Sequence, residues 1–303
     1  MPELPEVHTT ATILNRLVKG RVIKSVWTDY NSPYYYGKNN IKDPKYFRKF
    51  SAMIKNKKII RVKRRAKNIL IDIEGDKTIL IHMKMTGQLL YGKYKQSNGG
   101  EYGWQPVDEK SPLKNPFSRF IHLIIVLDDQ NHIAFSDMRK FGTIKLLVGE
   151  KAYSAEFRKM GPEPLDQKFN FEAFRKQISS KPGGHVKTVL MNPEVISGIG
   201  NIYSDEILFA SKIMPTRKTS SLSRPDLRLI FKQTKRILKM GIELGGDSMS
   251  DYRNPYGEKG GFQLHHKVYG RKKKKCFRRG CNGTISRVVI NGRSAHFCPV
   301  CQK

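Results

Sequence analysis

Apolar residues in the first eighteen positions recur at helical spacing, Leu4, Val7, Ala11, Leu14 and Val18, which predicts an amphipathic helix over residues 1–18 with one buried stripe. From residue 20 to 148 the pattern shortens into β-type runs: Arg21–Tyr30, Lys57–Val62, Ile69–Ile73, Ile79–Met83, Ile121–Leu127, His132–Phe135 and Thr143–Leu147. Turn signals such as Glu74-Gly75-Asp76 and Asp128-Asp129-Gln130 separate them, as expected of strands. Short strands without alternating helices predict an antiparallel sandwich. Residues 92–117 are polar and rich in Gly, Lys and Pro, the composition of an exposed loop or insertion. From Phe169 onward helical spacing returns, in Phe169-Phe171-Phe174-Ile178 and in Leu227-Ile230-Phe231-Ile237-Leu238. Ser223 ahead of Arg224-Pro225 is a cap signal, and Gly245-Gly246 a stop. Residues 247–262, rich in Gly, Tyr and Pro, read as a mobile loop. The fold class is therefore α+β, with units at 1–150, 151–262 and 268–303.

Charge changes this picture. The 303 residues carry 57 Lys and Arg against 26 Asp and Glu, a formal net charge of +31. Such a field attracts polyanions, nucleic acid first among them. No apolar run is long enough to span a membrane, and the N-terminus lacks the layout of a signal peptide. These features predict an intracellular protein of the cytoplasm or nucleoid (the nucleus in a eukaryote), monomeric by default, with no membrane partner.

The four cysteines, Cys276, Cys281, Cys298 and Cys301, crowd the C-terminus with spacing C-x4-C-x16-C-x2-C. Two close pairs around a strand–Asn291-Gly292–strand hairpin are a zinc-ribbon signature. Four thiolates leave no open position, so the metal is structural. The competing reading is two disulfides or unligated thiols. Bound zinc would fix Arg293 at the hairpin tip.

The chain starts Met1-Pro2-Glu3-Leu4-Pro5-Glu6-Val7. Proline at position 2 normally permits removal of Met1, exposing a secondary amine. An α-amine titrates near 7.7–8.0, so part of it is unprotonated at neutral pH and can attack an electrophilic carbon to form a Schiff base. Glu3 is a neighbouring carboxylate able to move protons. The residues alone favour a structural role, with proline in a first helical turn and Glu3 and Glu6 facing the positive end of the helix dipole.

Further motifs follow in order: Arg64-Arg65-Ala66-Lys67, His82-Met83-Lys84-Met85-Thr86-Gly87, Asp137-Met138-Arg139-Lys140-Phe141-Gly142, Gly161-Pro162-Glu163-Pro164-Leu165, Gly198-Ile199-Gly200-Asn201-Ile202-Tyr203 and Val268-Tyr269-Gly270-Arg271. Together with the N-terminus and the ribbon they resemble the formamidopyrimidine-DNA glycosylases along nearly the whole length. The resemblance implies a catalytic N-terminal β-sandwich, a DNA-binding helical domain with a helix–two-turn–helix motif, and a zinc finger. It implies a bifunctional glycosylase and AP lyase of base excision repair, acting on oxidised purines in double-stranded DNA without a small-molecule cofactor. By motif position it makes Pro2 the nucleophile, Glu3 the acid/base, Glu6 a carboxylate near the site and Lys67 a phosphate contact that assists elimination. Met85, Arg139 and Phe141 would fill the gap left by an everted nucleotide. Asn201 and Lys187 would meet phosphate at the glycine turn, with Tyr203 and Glu206 as supports. Arg293 would grip phosphate and act in the second elimination, and the 247–262 segment resembles the loop that covers purine lesions.

Departures from the pattern are the x4 spacing of the first cysteine pair, where x2 is usual, and Lys140 in place of arginine, which loses the guanidinium fork. Phe120 stands where many relatives carry a DNA-contacting histidine two residues before the counterpart of His122. Arg119 beside it would point to the opposite strand face by alternation. Three rival readings follow from the same residues: an endonuclease VIII-like enzyme for oxidised pyrimidines, opposed by Leu4; a non-catalytic DNA-binding paralogue; and an RNA-binding zinc-ribbon protein.

Overall fold

The computed structural model describes residues 1–97 and 103–303. The first compact unit comprises Met1–Arg158 with Gly245–Gly261, and the second Lys159–Leu244 with Phe262–Lys303. Helix α3 (Gly149–Phe157) stays with the first unit, because Ala152, Tyr153 and Phe157 pack on Leu70, Leu80 and Leu147. The segment 245–261 also belongs there. Within the second unit, Ile285 and Cys298 of the cysteine ribbon share a cluster with Phe209 and Val268.

In the first unit, helix α1 (Leu4–Val18) buries the predicted stripe, and Glu3 at its N-cap closes a capping box with Glu6. That box starts the helix at Leu4 and leaves Met1–Glu3 outside it. Strands β1 (Ile23–Thr28), β2 (Ile59–Arg65), β3 (Asn68–Ile73), β4 (Lys77–His82), β5 (Gly87–Gly92), β6 (Tyr94–Gln96), β7 (Trp104–Pro106), β8 (Ile121–Leu127), β9 (His132–Asp137) and β10 (Thr143–Val148) follow, with helix α2 (Pro44–Ile54) after β1. Two antiparallel four-stranded sheets form, in the orders β1-β8-β9-β5 and β10-β4-β3-β2. One core lies between them, built from Ile23, Leu123, Ile125 and Phe135 on one side and Ile69, Ile71, Ile79 and Ile81 on the other. Helices α1 and α2 close it through Leu14 and Phe50.

Both sheets are also covered outside. Leu90, Ile121, Ile124 and Ala134 pack against Tyr94 and Leu113, with Trp27 and Trp104 alongside. The stretch expected to be an exposed loop is therefore a folded limb over the first sheet; its residues 98–102 lie outside the described residues. Burial on two faces explains why Leu123–Leu127 is a continuous apolar run.

The second unit contains α4 (Phe171–Ser179), α5 (Val186–Met191), α6 (Asn201–Ala210), α7 (Arg224–Glu243) and the hairpin β11 (Ser286–Ile290) with β12 (Arg293–Phe297). Asn291 and Gly292 turn that hairpin at φ 47° and 74°, the left-handed pair of a type I′ turn. Gly198, at φ 90°, lies in the tight connection from α5 to α6. Ser223 accepts the Asp226 N–H at 3.3 Å, and Asp226 accepts the Ser223 N–H at 3.0 Å. Replacing Ser223 by Ala is expected to cost about 1 kcal/mol of helix stability. A urea titration followed by circular dichroism reads this, and an unchanged midpoint would show that Pro225 and Asp226 suffice.

Candidate functional site

At the head of α1, Pro2 and Glu3 are buried. Glu6 is buried too, and its carboxylate is shared. One oxygen accepts the Glu3 N–H at 2.7 Å, and the other accepts the Asp247 N–H at 2.7 Å. The Tyr252 hydroxyl donates to the Glu6 carbonyl at 3.1 Å. The segment 246–252 is thus fastened to the N-terminal residues. Gly246, at φ 88°, is required there, since a Cβ would lie 2.9 Å from the Glu6 carboxylate.

Lys67 is half-buried in the two-residue turn between β2 and β3, beside Ala66 at φ 53°. It sits near His82, whose ring is pushed down to about 3 by burial first and then by Lys84 and Lys67. A neutral His82 accepts the Lys84 N–H at 3.0 Å.

The buried Asp137 carboxylate organises the two loops that carry Met85, Arg139 and Phe141. It accepts Thr86 Oγ1 at 2.5 Å and the Gly142 N–H at 2.6 Å. Thr86 Oγ1 in turn accepts the Arg139 N–H at 3.1 Å. Between these anchors Met85 and Phe141 stay 38% and 48% exposed, while the neighbouring Met83 is buried. The Arg139 guanidinium lies 4.5 Å over the Phe141 ring. The predicted trio therefore projects from one braced pair of loops. Arg119 precedes β8, so strand alternation does not govern it; its guanidinium lies 5.1 Å over the Phe120 ring.

In the second unit, Lys187 is fully buried. Its ammonium donates to Asp205 Oδ1 at 2.5 Å, Ser204 Oγ at 3.2 Å and the Asn201 carbonyl at 3.3 Å. Asp205 Oδ2 accepts the His296 N–H at 2.9 Å, joining α6 to the ribbon. Asn201 donates its amide to Ser294 at 3.3 Å, and Arg293 is exposed beside the turn. Glu206 accepts the N–H groups of Lys267, Val268 and Tyr269 at 2.9–3.1 Å, and Tyr203 stacks on Phe262. Sequence reasoning assigned no role to Asp137 or Asp205; Asp137 stands in a motif, but Thr86, Lys187 and His296, which these carboxylates hold, lie far from them in sequence.

The four cysteine Sγ atoms lie within 4.8 Å of one another, with Cys276–Cys301 at 3.8 Å and Cys281–Cys298 at 3.6 Å. A tetrahedral zinc with bonds of about 2.3 Å separates its sulfurs by roughly 3.8 Å, whereas a disulfide needs about 2.05 Å. A Cβ on Gly283 would come within 2.5 Å of Cys298 Sγ. The x4 spacing still brings Cys276 and Cys281 into the cluster, whose geometry fits one structural zinc.

A capped helix start on a two-sheet sandwich, with a glycine turn tied to a four-thiolate ribbon, defines a zinc-finger protein of the α+β class. The profile of the formamidopyrimidine-DNA glycosylase N-terminal domain matches residues 1–144, that of its H2TH domain 160–253, and that of the zinc finger found in FPG and IleRS 273–303. The formamidopyrimidine-DNA glycosylase of Herpetosiphon aurantiacus is 34% identical over the whole of both chains. That of Bacillus subtilis is 34% identical over all of this chain and 99% of its own. Among solved structures, the Lactococcus lactis Fpg in complex with an abasic site containing DNA superposes with a TM-score of 0.82 at 28% identity, covering 99% of each chain. The Fpg protein of Thermus thermophilus gives 0.77 at 30% identity, over 99% of this chain and 98% of its own. The chain belongs to the formamidopyrimidine-DNA glycosylase family, a family of DNA-repair glycosylases. No helix among the described residues is long and apolar enough to cross a membrane.

Elemental analysis is expected to find one zinc per chain, and Cys281→Ser to lose it while the β-sandwich stays folded. Full zinc retention in that variant would refute the four-thiolate site. His82 gives a pH signature. Its folded value of about 3 lies below the ordinary 6.5, so below pH 6.5 the unfolded chain takes a proton that the folded chain refuses. Stability should fall as pH drops through the window from about 6.5 to about 3, by up to roughly 5 kcal/mol. His82→Asn should flatten that slope in urea midpoints measured against pH; an identical slope would remove His82 as its source.

Proposed function

We propose that this chain removes oxidised purines, 8-oxoguanine and formamidopyrimidines, from double-stranded DNA and then cuts the strand, acting as a monomer. The carrying observation is the N-terminus, where Pro2 and Glu3 are enclosed at the head of α1 under the Glu6–Asp247 contact. Loss of Met1 frees the Pro2 nitrogen, whose lone pair attacks C1′ of the damaged nucleotide. The glycosidic bond breaks and the base leaves with a proton. Glu3 protonates the sugar ring oxygen, the ring opens, and an iminium links Pro2 to the sugar. Loss of a C2′ proton expels the 3′ phosphate, and a second elimination expels the 5′ phosphate.

Lys67 and Arg293 meet the phosphates flanking the lesion, and Arg293 assists the second elimination. Met85, Arg139 and Phe141 occupy the gap in the stack, which their exposure on anchored loops supports. The Gly198–Asn201 turn offers N–H groups and the Asn201 amide to a phosphate. Lys187 acts there through Asp205 and the start of α6, as a positioning residue. The segment 247–262 covers the everted base. Each phosphate contact releases counterions, so binding weakens steeply with salt.

The test is borohydride trapping on a duplex carrying 8-oxoguanine opposite cytosine, with an oxidised pyrimidine in parallel and protein shown to lack Met1. A strong covalent adduct on 8-oxoguanine is expected, and Pro2→Gly should weaken it at least tenfold. A stronger adduct on the pyrimidine would favour the endonuclease VIII-like reading. No adduct on any lesion or abasic site would leave a non-catalytic DNA-binding protein.

A further inference from the structure

The limb over the first sheet has a face that the sandwich does not use. Strand β5 is the free edge of its sheet, and an edge strand leaves N–H groups to be satisfied elsewhere. Tyr91 gives its N–H to the Pro255 carbonyl at 2.8 Å. Gln88, fully buried on the same strand, spreads its amide over three partners. Its Nε2 donates to the Asp251 carbonyl at 2.5 Å and to the Phe117 carbonyl at 3.2 Å, and its Oε1 accepts Ser118 Oγ at 3.1 Å. One side chain therefore ties the limb (Phe117, Ser118) to the segment 245–261 (Asp251). Two further contacts join the same pieces. The buried Arg253 guanidinium lies 5.3 Å over the Phe117 ring, and Gly257, at φ 84°, approaches so closely that a Cβ would sit 2.6 Å from the Pro112 backbone carbon.

The other end of the segment is held by Glu6. Asp247 and Tyr252 bind it, and Glu6 also holds the Glu3 N–H. The arc Ser248–Ser250 thus spans two clamps, with the Met249 side chain 55% exposed at its crest. The limb itself is stiff enough to serve as a fixed end. Ser111 and Asn115 cap its short 3-10 turns at Pro112–Lys114 and Pro116–Ser118, Leu113 is buried, and Trp104 packs on Trp27 with centroids 5.8 Å apart.

We propose that the limb Trp104–Ser118 is a brace that fixes the Ser248–Ser250 arc above the N-terminal residues, and that Gln88 and Phe117 are the positioning residues through which it governs base removal. This inference rests on the glycosylase reading. It goes beyond it by naming residues that touch neither DNA nor the reacting atoms. An arc crowned by a flexible thioether suits the flat face of a purine, and a sugar without a base presents nothing to it. Loosening the brace should therefore slow base excision and spare strand cleavage at a site that has already lost its base.

The experiment uses the full chain, freed of Met1 and loaded with zinc, under single-turnover conditions. Gln88→Met keeps the side-chain volume and removes the amide. Two duplexes are compared, one with 8-oxoguanine opposite cytosine and one with a preformed abasic site. Gln88→Met and Phe117→Leu are expected to slow excision of 8-oxoguanine about tenfold, the loss expected for one displaced contact. Cleavage at the abasic site should stay within about twofold of the parent, a difference too small to reflect a lost contact. Phe117→Tyr, which keeps a ring beneath Arg253, should restore the excision rate. Equal slowing on both duplexes would assign Gln88 to folding alone and overturn the proposal, as would no slowing on either. Parent protein inert on both duplexes would instead sink the glycosylase reading, and this inference with it. Amide hydrogen exchange in 247–257, raised in Gln88→Met or not, would then tell whether the brace exists at all.

Discussion

The Glu6 carboxylate is the contact on which the first unit's chemistry depends. It lies at the positive end of the α1 dipole, out of water, and each of its oxygens accepts a backbone N–H at 2.7 Å. Burying a carboxylate is costly unless such donors replace its hydration. Glu6 meets that condition by joining Glu3 to Asp247, residues that the chain separates by most of its length. The same bonds orient the residues preceding the helix, where the candidate amine lies, and hold an arc from a distant segment above them. A loop held only by its own sequence would sample many positions; one fixed to a buried carboxylate has few.

The second unit follows the same logic with different groups. Lys187 and Asp205 are both removed from water, which opposes stability unless every remaining hydrogen-bonding group is filled. Here the ammonium has three acceptors, and Asp205 spends its other oxygen on the His296 backbone. The pair locks the start of α6 against a ribbon whose own shape is set by four thiolates. The exposed Arg293 tip and the Asn201 turn inherit that rigidity, since Asn201 reaches Ser294 directly.

Much of this was legible in the residues. The α1 stripe, most of the sandwich strands, the Ser223 cap, the Asn291-Gly292 turn and the cysteine site all announce themselves locally, because the physical cause lies within a few residues of the effect. Helix α2 was equally local but missed: Asp43 accepts the Lys45 N–H ahead of Pro44, a cap-and-proline start. The limb was hidden for another reason. Its buried side chains, Tyr94, Trp104 and Leu113, are too sparse among Lys, Gly and Pro to form a period, and only the outer face of a distant sheet makes them core. The segment 247–262 reads as mobile because its anchors, Glu6 and Gln88, lie far from it in sequence. The ion pair of Lys187 leaves no local sign in the sequence, because Asp205 meets it only in the fold.

A chain with net charge +31 carries cations of two kinds, and the structure separates them by what they hold. Among the described residues, three are turned inward, and each binds the backbone of a segment that carries candidate residues. Lys42 donates to the Lys140 carbonyl at 2.6 Å, beside Phe141, and burial pulls its ammonium down to about 8. Lys187 donates to the Asn201 carbonyl, and Arg253 to those of Ser250 and Tyr252. A charge-assisted bond to a carbonyl is stronger than a neutral one and offsets part of the desolvation of the cation. Surface cations such as Arg139 and Arg293 stay hydrated and face outward. Removing an inward cation would change net charge by one unit and hardly alter the long-range field, yet it would release a loop. Removing an outward one would leave every loop in place and weaken only what meets it. The two populations therefore have separable consequences, one for where the site residues stand and the other for how strongly a polyanion is drawn to them.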